Sequence, residues 1–144
     1  ADIKGHCAVI GGGLVGTETA EYVIAHGCAA SVIEMMDKIA TGESSTVLPL
    51  IKKDFTEHEV KEYVNTKVSQ ITNQGKTILA TNTQTNEEIS IDCDTIIMAV
   101  GSKKNKIDLA GVTVPVFYAG DCFGEQTASI AEAIRSGYKV ANEI

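Results

Sequence analysis

An α/β fold built on a parallel sheet is predicted by three observations: an apolar run entering a glycine cluster, a helical stretch directly after it, and a second apolar run one helix later. Cys7-Ala8-Val9-Ile10 is the first run, with the unbroken apolarity of a strand buried on both faces. From Leu14 to His26, Leu14, Val15, Ala20, Val23, Ile24 and Ala25 interleave with Glu18, Glu21 and Tyr22, and Gly27 stands where a helix C-terminus is closed. Ala29 to Glu34 is the second buried strand, and the strand-helix-strand unit so formed has a right-handed crossover.

Thr46 to about His58 forms a second helix, with Val47, Leu48, Ile51 and Phe55 on one stripe and Ser44 to Thr46 as caps. The texture then turns β-rich in three segments, Val60 to Ile71, Lys76 to Thr83 and Glu88 to Val100, broken at Asn73-Gln74-Gly75 and Thr85-Asn86-Glu87. Alternation in Thr77 to Thr81 and Ile89 to Asp92 predicts antiparallel hairpins with one wet face. Thr95 to Val100 is apolar after its first residue and belongs in the central sheet, ended by Gly101. Residues 102 to 113 are a polar loop in which Lys103, Lys104 and Lys106 form a solvated face. A short strand, Val114 to Ala119, leads into Gly120-Asp121, and Thr127 to Ile144 forms a last helix whose stripe of Ile130, Ile134, Gly137, Ala141 and Ile144 needs a surface to pack on.

Length and charge narrow the function classes. The chain has 144 residues, 12 Lys and Arg against 19 Asp and Glu, and a net charge of −7. A polyanion would approach against that field, which argues against nucleic acid as a partner. No run reaches the roughly 18 apolar residues of a membrane span, and no signal-peptide pattern opens the chain, so a soluble cytoplasmic protein is expected. The first residue is Ala1 rather than Met, which suggests a segment of a longer protein. Cys7, Cys28, Cys93 and Cys122 form no CxxC pair and no metal-ligand spacing, so they are expected as structural thiols. His6, His26 and His58 have no partner at a triad or ligand spacing and are expected as bland surface or packing residues.

The motif that carries chemistry is Gly11-Gly12-Gly13-Leu14-Val15-Gly16, a GxGxxG at Gly11, Gly13 and Gly16 placed between strand and helix. Gly11 permits the tight turn, Gly13 lets a diphosphate approach the backbone, and Gly16 lets the helix pack close to the strand. The N–H groups and positive end of the helix opening at Leu14 and Val15 receive the phosphates. Glu34 ends the second strand 18 residues after Gly16 and can accept hydrogen bonds from the ribose hydroxyls of the adenosine half. Its carboxylate repels a 2′-phosphate and no Arg follows nearby, so NAD(H) is expected over NADP(H). Met35 follows it and flanks the adenine. The fold class is therefore Rossmann-like: a parallel sheet with helices on both faces and a β-meander. The fingerprint by itself leaves FAD open as the dinucleotide.

Val9-Ile10-Gly11-Gly12-Gly13-Leu14-Val15-Gly16-Thr17-Glu18-Thr19-Ala20, with Gly27 and Val32-Ile33-Glu34 beyond, resembles the NADH-binding domain of pyridine nucleotide-disulfide oxidoreductase-type flavoproteins. The form GGGxxGxExA is similar to that family's nicotinamide-nucleotide site, which implies that Glu18 faces the nicotinamide end. Met98-Ala99-Val100-Gly101 is similar to its strand-end segment near the nicotinamide, and Tyr118-Ala119-Gly120-Asp121-Cys122 to its flavin-contacting glycine-aspartate motif. The resemblance covers essentially the whole chain. Within the family, Val32 to Ala40 and the strand into Gly101 are most similar to the C-terminal part of NADH:flavin oxidoreductases of the old yellow enzyme and 2,4-dienoyl-CoA reductase type. Ser102-Lys103-Lys104-Asn105 departs from it where the family often shows an Arg and a Pro.

The resemblance implies residues 1–113 as an NAD(H)-binding domain and 114–144 as a strand and helix closing an FAD-binding domain. It implies FAD in the full-length protein only, and as partners the FAD domain and a flavin-containing barrel. No second GxGxxG, no CxxC and no substrate-activating acid or base accompanies the fingerprint, so no residue is assigned a catalytic role. The expected function is to position NADH for hydride transfer to FAD, which passes electrons to another centre; the isolated chain is expected to be inactive alone. The alternative is a non-catalytic dinucleotide-sensing module. A short-chain dehydrogenase is disfavoured, because its Tyr-x-x-x-Lys spacing occurs only at Tyr63 and Lys67, in a predicted strand rather than a helix.

Overall fold

A computed structural model describes residues 3–103, 107–122 and 130–144, the side chain of Asp121 excepted. Lys104 and Lys106 of the polar loop and the Thr127 start of the last helix lie outside the described residues. The chain divides into two compact units, Ala1–Gly101 and Ser102–Ile144.

In the first unit, strands β1 (His6–Ile10) and β2 (Ala29–Ile33) flank helix α1 (Leu14–Ala25), and helix α2 (Leu48–Glu57) leads to β3 (Lys61–Tyr63). A meander of β4 (Thr66–Thr72), β5 (Thr77–Asn82) and β6 (Glu88–Asp92) follows, and β7 (Thr95–Met98) returns to the first sheet. The parallel sheet has the order β3-β2-β1-β7, and the meander is a separate antiparallel sheet. Two successive right-handed crossovers in one direction put α1 and α2 on the same face. There Val9 and Val32 pack with Val23, Ile51 and Phe55. The step to β7 runs the other way along the sheet, so its crossover falls on the opposite face, where Ala8, Ile10 and Ile33 pack against Ile78 and Ile91 of the meander.

The end of α1 follows from its glycine. Gly27 has φ +76° and donates to the Ile24 carbonyl at 2.9 Å, while the Cys28 N–H reaches Val23 O at 3.3 Å, the two bonds of a Schellman closure. The opening of α2 departs from expectation, because Val47 rather than a residue of Ser44 to Thr46 is its N-cap and no side chain caps it. Ser44 contributes its carbonyl instead, accepting from Val47 and Leu48, and Pro49 sets the first turn.

Three further expectations are corrected. Val60 to Ile71 is not one strand: Asn65 turns at φ +50°, so β3 joins the parallel sheet and β4 the meander, and Tyr63 and Lys67 belong to different sheets. β7 joins the parallel sheet as expected, beside β1, but stops at Met98 rather than running to Val100. Val114 to Ala119 is not a strand; Pro115 has no N–H for a ladder, no strand is described in its unit, and Val114, Val116, Phe117 and Tyr118 are exposed. In that second unit helix α3 (Ile130–Ala141) ends before Ile144, and Ile130 and Ile134 of its stripe are exposed. No described helix is long and apolar enough to cross a membrane.

Cys7 and Cys93 are buried, Cys28 is half-buried, and Cys122, against expectation, is exposed. Burial pushes the Cys7 and Cys93 thiols up, with carboxylates of Asp94 and, for Cys93, Asp92 adding to it. A raised thiol pKa stabilises the fold below the unfolded value of about 8.5, and that contribution is lost as the pH rises above it. Iodoacetamide at pH 8 is expected to leave Cys7 and Cys93 unmodified in the native protein and to label both in denaturant. Labelling of either at the denatured rate without unfolding would contradict that burial.

Candidate functional site

The carboxyl ends of the parallel strands meet where the chain reverses direction along the sheet, between β1 and β7. In open α/β sheets the ligand crevice lies there. Three segments line it: the turn Gly11–Gly16 after β1, Glu34 and Met35 after β2, and Val100 and Gly101 after β7.

The glycine turn is shaped by contacts that only glycine permits. Gly11 has φ +103°, and a Cβ on it would stand 2.7 Å from the Ala99 carbonyl carbon and closer still to its oxygen. Gly11 makes the tight turn expected of it, and the tightness comes from the strand beside it, through the Ala99 N–H that donates to Ile10 O at 2.8 Å. A Cβ on Gly16 would lie 2.9 Å from the Gly11 carbonyl carbon and inside the contact radius of its oxygen, so α1 presses on the turn itself. Gly13 is the opposite case. A Cβ there meets nothing within 4 Å, and the open space stands at the N-cap of α1.

No side chain caps α1, and no acidic residue stands in its first turn. The Gly11 N–H donates to Ile33 O at 2.8 Å and the Gly12 N–H to Glu34, so Gly13 and the first turn at Leu14 and Val15 present the remaining donors. Leu14 and Val15 are exposed. A cradle of backbone N–H groups, the positive helix end and space that a Cβ would fill suits a diphosphate.

Glu34 is only part-buried and its carboxylate is fixed from two sides. Gly12 donates to Oε2 at 2.6 Å and Met36 donates its N–H to Oε1 at 2.8 Å. A carboxylate offers about four lone-pair sites, so acceptor capacity remains on both oxygens for vicinal hydroxyls. The backbone around it is braced in turn: Glu34 N–H to Tyr63 O at 2.8 Å, Thr66 N–H to Glu34 O at 2.8 Å, and Ala40 N–H to Gly12 O at 2.6 Å. Residue type identifies Glu34 but not the brace made by Gly12, Met36 and Ala40, which depends on backbone conformation, with Ala40 at φ +53°.

Glu18 is exposed on α1, and Met35, Val100 and Gly101 are exposed at the strand ends. Burial, with the carboxylates of Asp54, Glu18 and Glu43 adding to it, raises the pKa of neighbouring Glu21. Gly120 lies in the second unit, in a single turn Gly120–Cys122, with its N–H donating to Ser136 Oγ at 2.8 Å; the Asp121 side chain is outside the described residues. His6 is a packing residue, as expected, with a defined structural task. Its ring bonds Asp92 O at 2.8 Å and Ser31 Oγ at 3.1 Å, linking both sheets at the edge remote from the glycine turn. The pairing with a carbonyl assigns the Nδ1 proton and makes Nε2 an acceptor in the neutral ring.

The sequence pattern of the pyridine nucleotide-disulphide oxidoreductase family matches residues 1–137. The chain is 40% identical over 142 residues to a bilirubin reductase of Mediterraneibacter gnavus (strain CC55_001C), covering 96% of this chain and 21% of that protein. It is 28% identical over 142 residues to an NADH oxidase of Thermoanaerobacter brockii, covering 94% of this chain and again 21% of the relative. A solved 2-naphthoyl-CoA reductase superposes with a TM-score of 0.78 at 22% identity, over 100% of this chain and 22% of the other. The chain thus spans about a fifth of the length of the curated relatives it matches.

Proposed function

From membership in the pyridine nucleotide-disulphide oxidoreductase family, to which this chain belongs, we propose that it is the NAD(H)-binding portion of a flavin-dependent oxidoreductase and positions NADH for hydride transfer to FAD. The observation that carries this reading is the pairing of an open cradle at Gly13 with a Glu34 carboxylate already fixed for ribose hydroxyls. Bound NADH supplies the hydride and FAD accepts it. The chain's own residues do the holding. Gly13, Leu14 and Val15 take the diphosphate while Gly11, Gly12 and Gly16 shape the turn that presents them; Glu34 takes the adenosine ribose, and Met35 the adenine side. Val100, Gly101 and Glu18 stand on the nicotinamide side, and Gly120 and Asp121 serve the flavin.

In this reading residues 1–113 form the NAD(H) domain and 114–144 close the FAD domain of the longer protein, in the cytoplasm, with a flavin-containing barrel as the onward centre. The isolated chain binds dinucleotide and has no turnover of its own. The name of the NADH oxidase relative and the fixed carboxylate both favour NADH over NADPH. Calorimetric titration is expected to give at least about tenfold tighter binding of NADH, and Glu34→Ala to remove most of that gap, as losing a close repulsive charge does. A preference unchanged in the variant, with an unaltered melting curve, would sink the ribose assignment.

A further inference from the structure

The chain has three methionines, and all three stand at the carboxyl end of the parallel sheet. Met35 and Met36 follow Glu34 past the end of β2, and Met98 closes β7 in register with Ile10. Their exposures are 57%, 57% and 58%, whereas the core beneath them is built of Ile, Val, Ala, Phe and Cys. Thioethers ordinarily fill core gaps, so three of them in water at the carboxyl ends of the parallel strands reverse the usual distribution. Met36 also acts through its backbone: its N–H holds Glu34 and its carbonyl accepts from Asn65 at 2.7 Å.

Resting on the dinucleotide reading above, we propose that Met35, Met36 and Met98 are peroxide-sensitive modification sites whose oxidation lowers dinucleotide affinity. Hydrogen peroxide is the co-reactant. Its O–O bond breaks, one oxygen forms an S–O bond with the thioether, the sulphur gives up two electrons, and the other oxygen leaves as water. The product is a polar, chiral sulphoxide in place of a soft apolar side chain. Beside a flat aromatic ring it forfeits the sulphur-aromatic contact, and beside Glu34 it sets an oxygen dipole against the carboxylate that the ribose needs. Reduction by methionine sulphoxide reductases reverses it, which makes the rim a switch rather than a lesion.

The test compares the purified protein with its Met35→Leu, Met36→Leu, Met98→Leu variant, both in a Cys122→Ser background so that the exposed thiol takes no part. Leucine keeps the volume and removes the sulphur. Peptide mass mapping after hydrogen peroxide is expected to show one added oxygen on each methionine, slowed when NADH is bound beforehand. NADH titration is expected to weaken by about tenfold on oxidation, the scale of lost sulphur-aromatic contacts, and to recover with the reductases. Whatever affinity the leucine variant has before treatment, hydrogen peroxide is expected to leave it unchanged. Three fully formed sulphoxides with unchanged affinity, or an equal loss in the leucine variant, would overturn the proposal. Protein that binds no NADH before treatment would overturn the dinucleotide reading itself, and this one with it.

Discussion

Gly13→Val is expected to weaken NADH binding at least about 100-fold, since displacing a diphosphate from two or more N–H donors costs about 3 kcal/mol. Its thermal unfolding should not fall. Gly13 has φ −68° and ψ −173°, an extended conformation that any residue adopts, and a Cβ there meets nothing within 4 Å. Replacing glycine at such a position also trims the freedom of the unfolded chain, which favours the fold slightly. Everything lost in binding is therefore lost to the incoming phosphates. Titration and a melting curve on the same sample decide it: undiminished affinity would place the diphosphate away from Gly13, and a collapsed melting curve would mean that the space is not open.

The reverse is expected of Gly16→Ala. Its Cβ would stand 2.9 Å from the Gly11 carbonyl carbon, nearer still to the oxygen, and 3.4 Å from the Ala99 Cβ. The obstruction is backbone, held by the Gly11 N–H bond to Ile33 on one side and by β7 on the other, so no flexible side chain can swing aside. Helix α1 has to lift from the turn, taking the buried Ala20, Val23 and Ile24 with it. A loss of about 3 kcal/mol and a fall of about 10 °C in Tm are expected. A wild-type urea midpoint in this variant would show that the helix does not press on the turn. Together the pair separates two jobs that one glycine fingerprint combines: Gly13 faces the ligand and Gly16 faces the protein.

The first three elements were legible because each carries its own signal. Cys7 to Ile10 is apolar without interruption, α1 interleaves apolar and acidic residues before a closing glycine, and Glu34 is an acid at a strand end. β3 was hidden. Lys61 to Tyr63 is three residues long, none fully buried, and its separation from β4 depends on Asn65 adopting a left-handed conformation that asparagine tolerates but does not announce. The C-terminal segment failed differently. Val114 to Ala119 has strand-like composition, yet a strand exists only when a neighbour accepts its hydrogen bonds, and composition is silent about neighbours. At the site, residue types pointed to Gly11, Gly13, Gly16 and Glu34, while the N–H groups of Gly12 and Met36 that aim the carboxylate belong to the backbone, which every residue shares.

The pairing of β7 with β1 has a consequence in time rather than in space. His6 and Asp94, which bond across that edge, are 88 residues apart, and closing a loop of that length carries an entropic cost of about 4 kcal/mol. The strand-helix-strand unit needs only local closures, but Gly11 meets Ala99 only after α2, β3 and the whole meander have been threaded between them. During synthesis or refolding, the chain therefore holds its fingerprint in sequence order well before it holds it in shape. In the proposed reading, nucleotide recognition reports completion of the whole first unit, not of the segment that carries the motif.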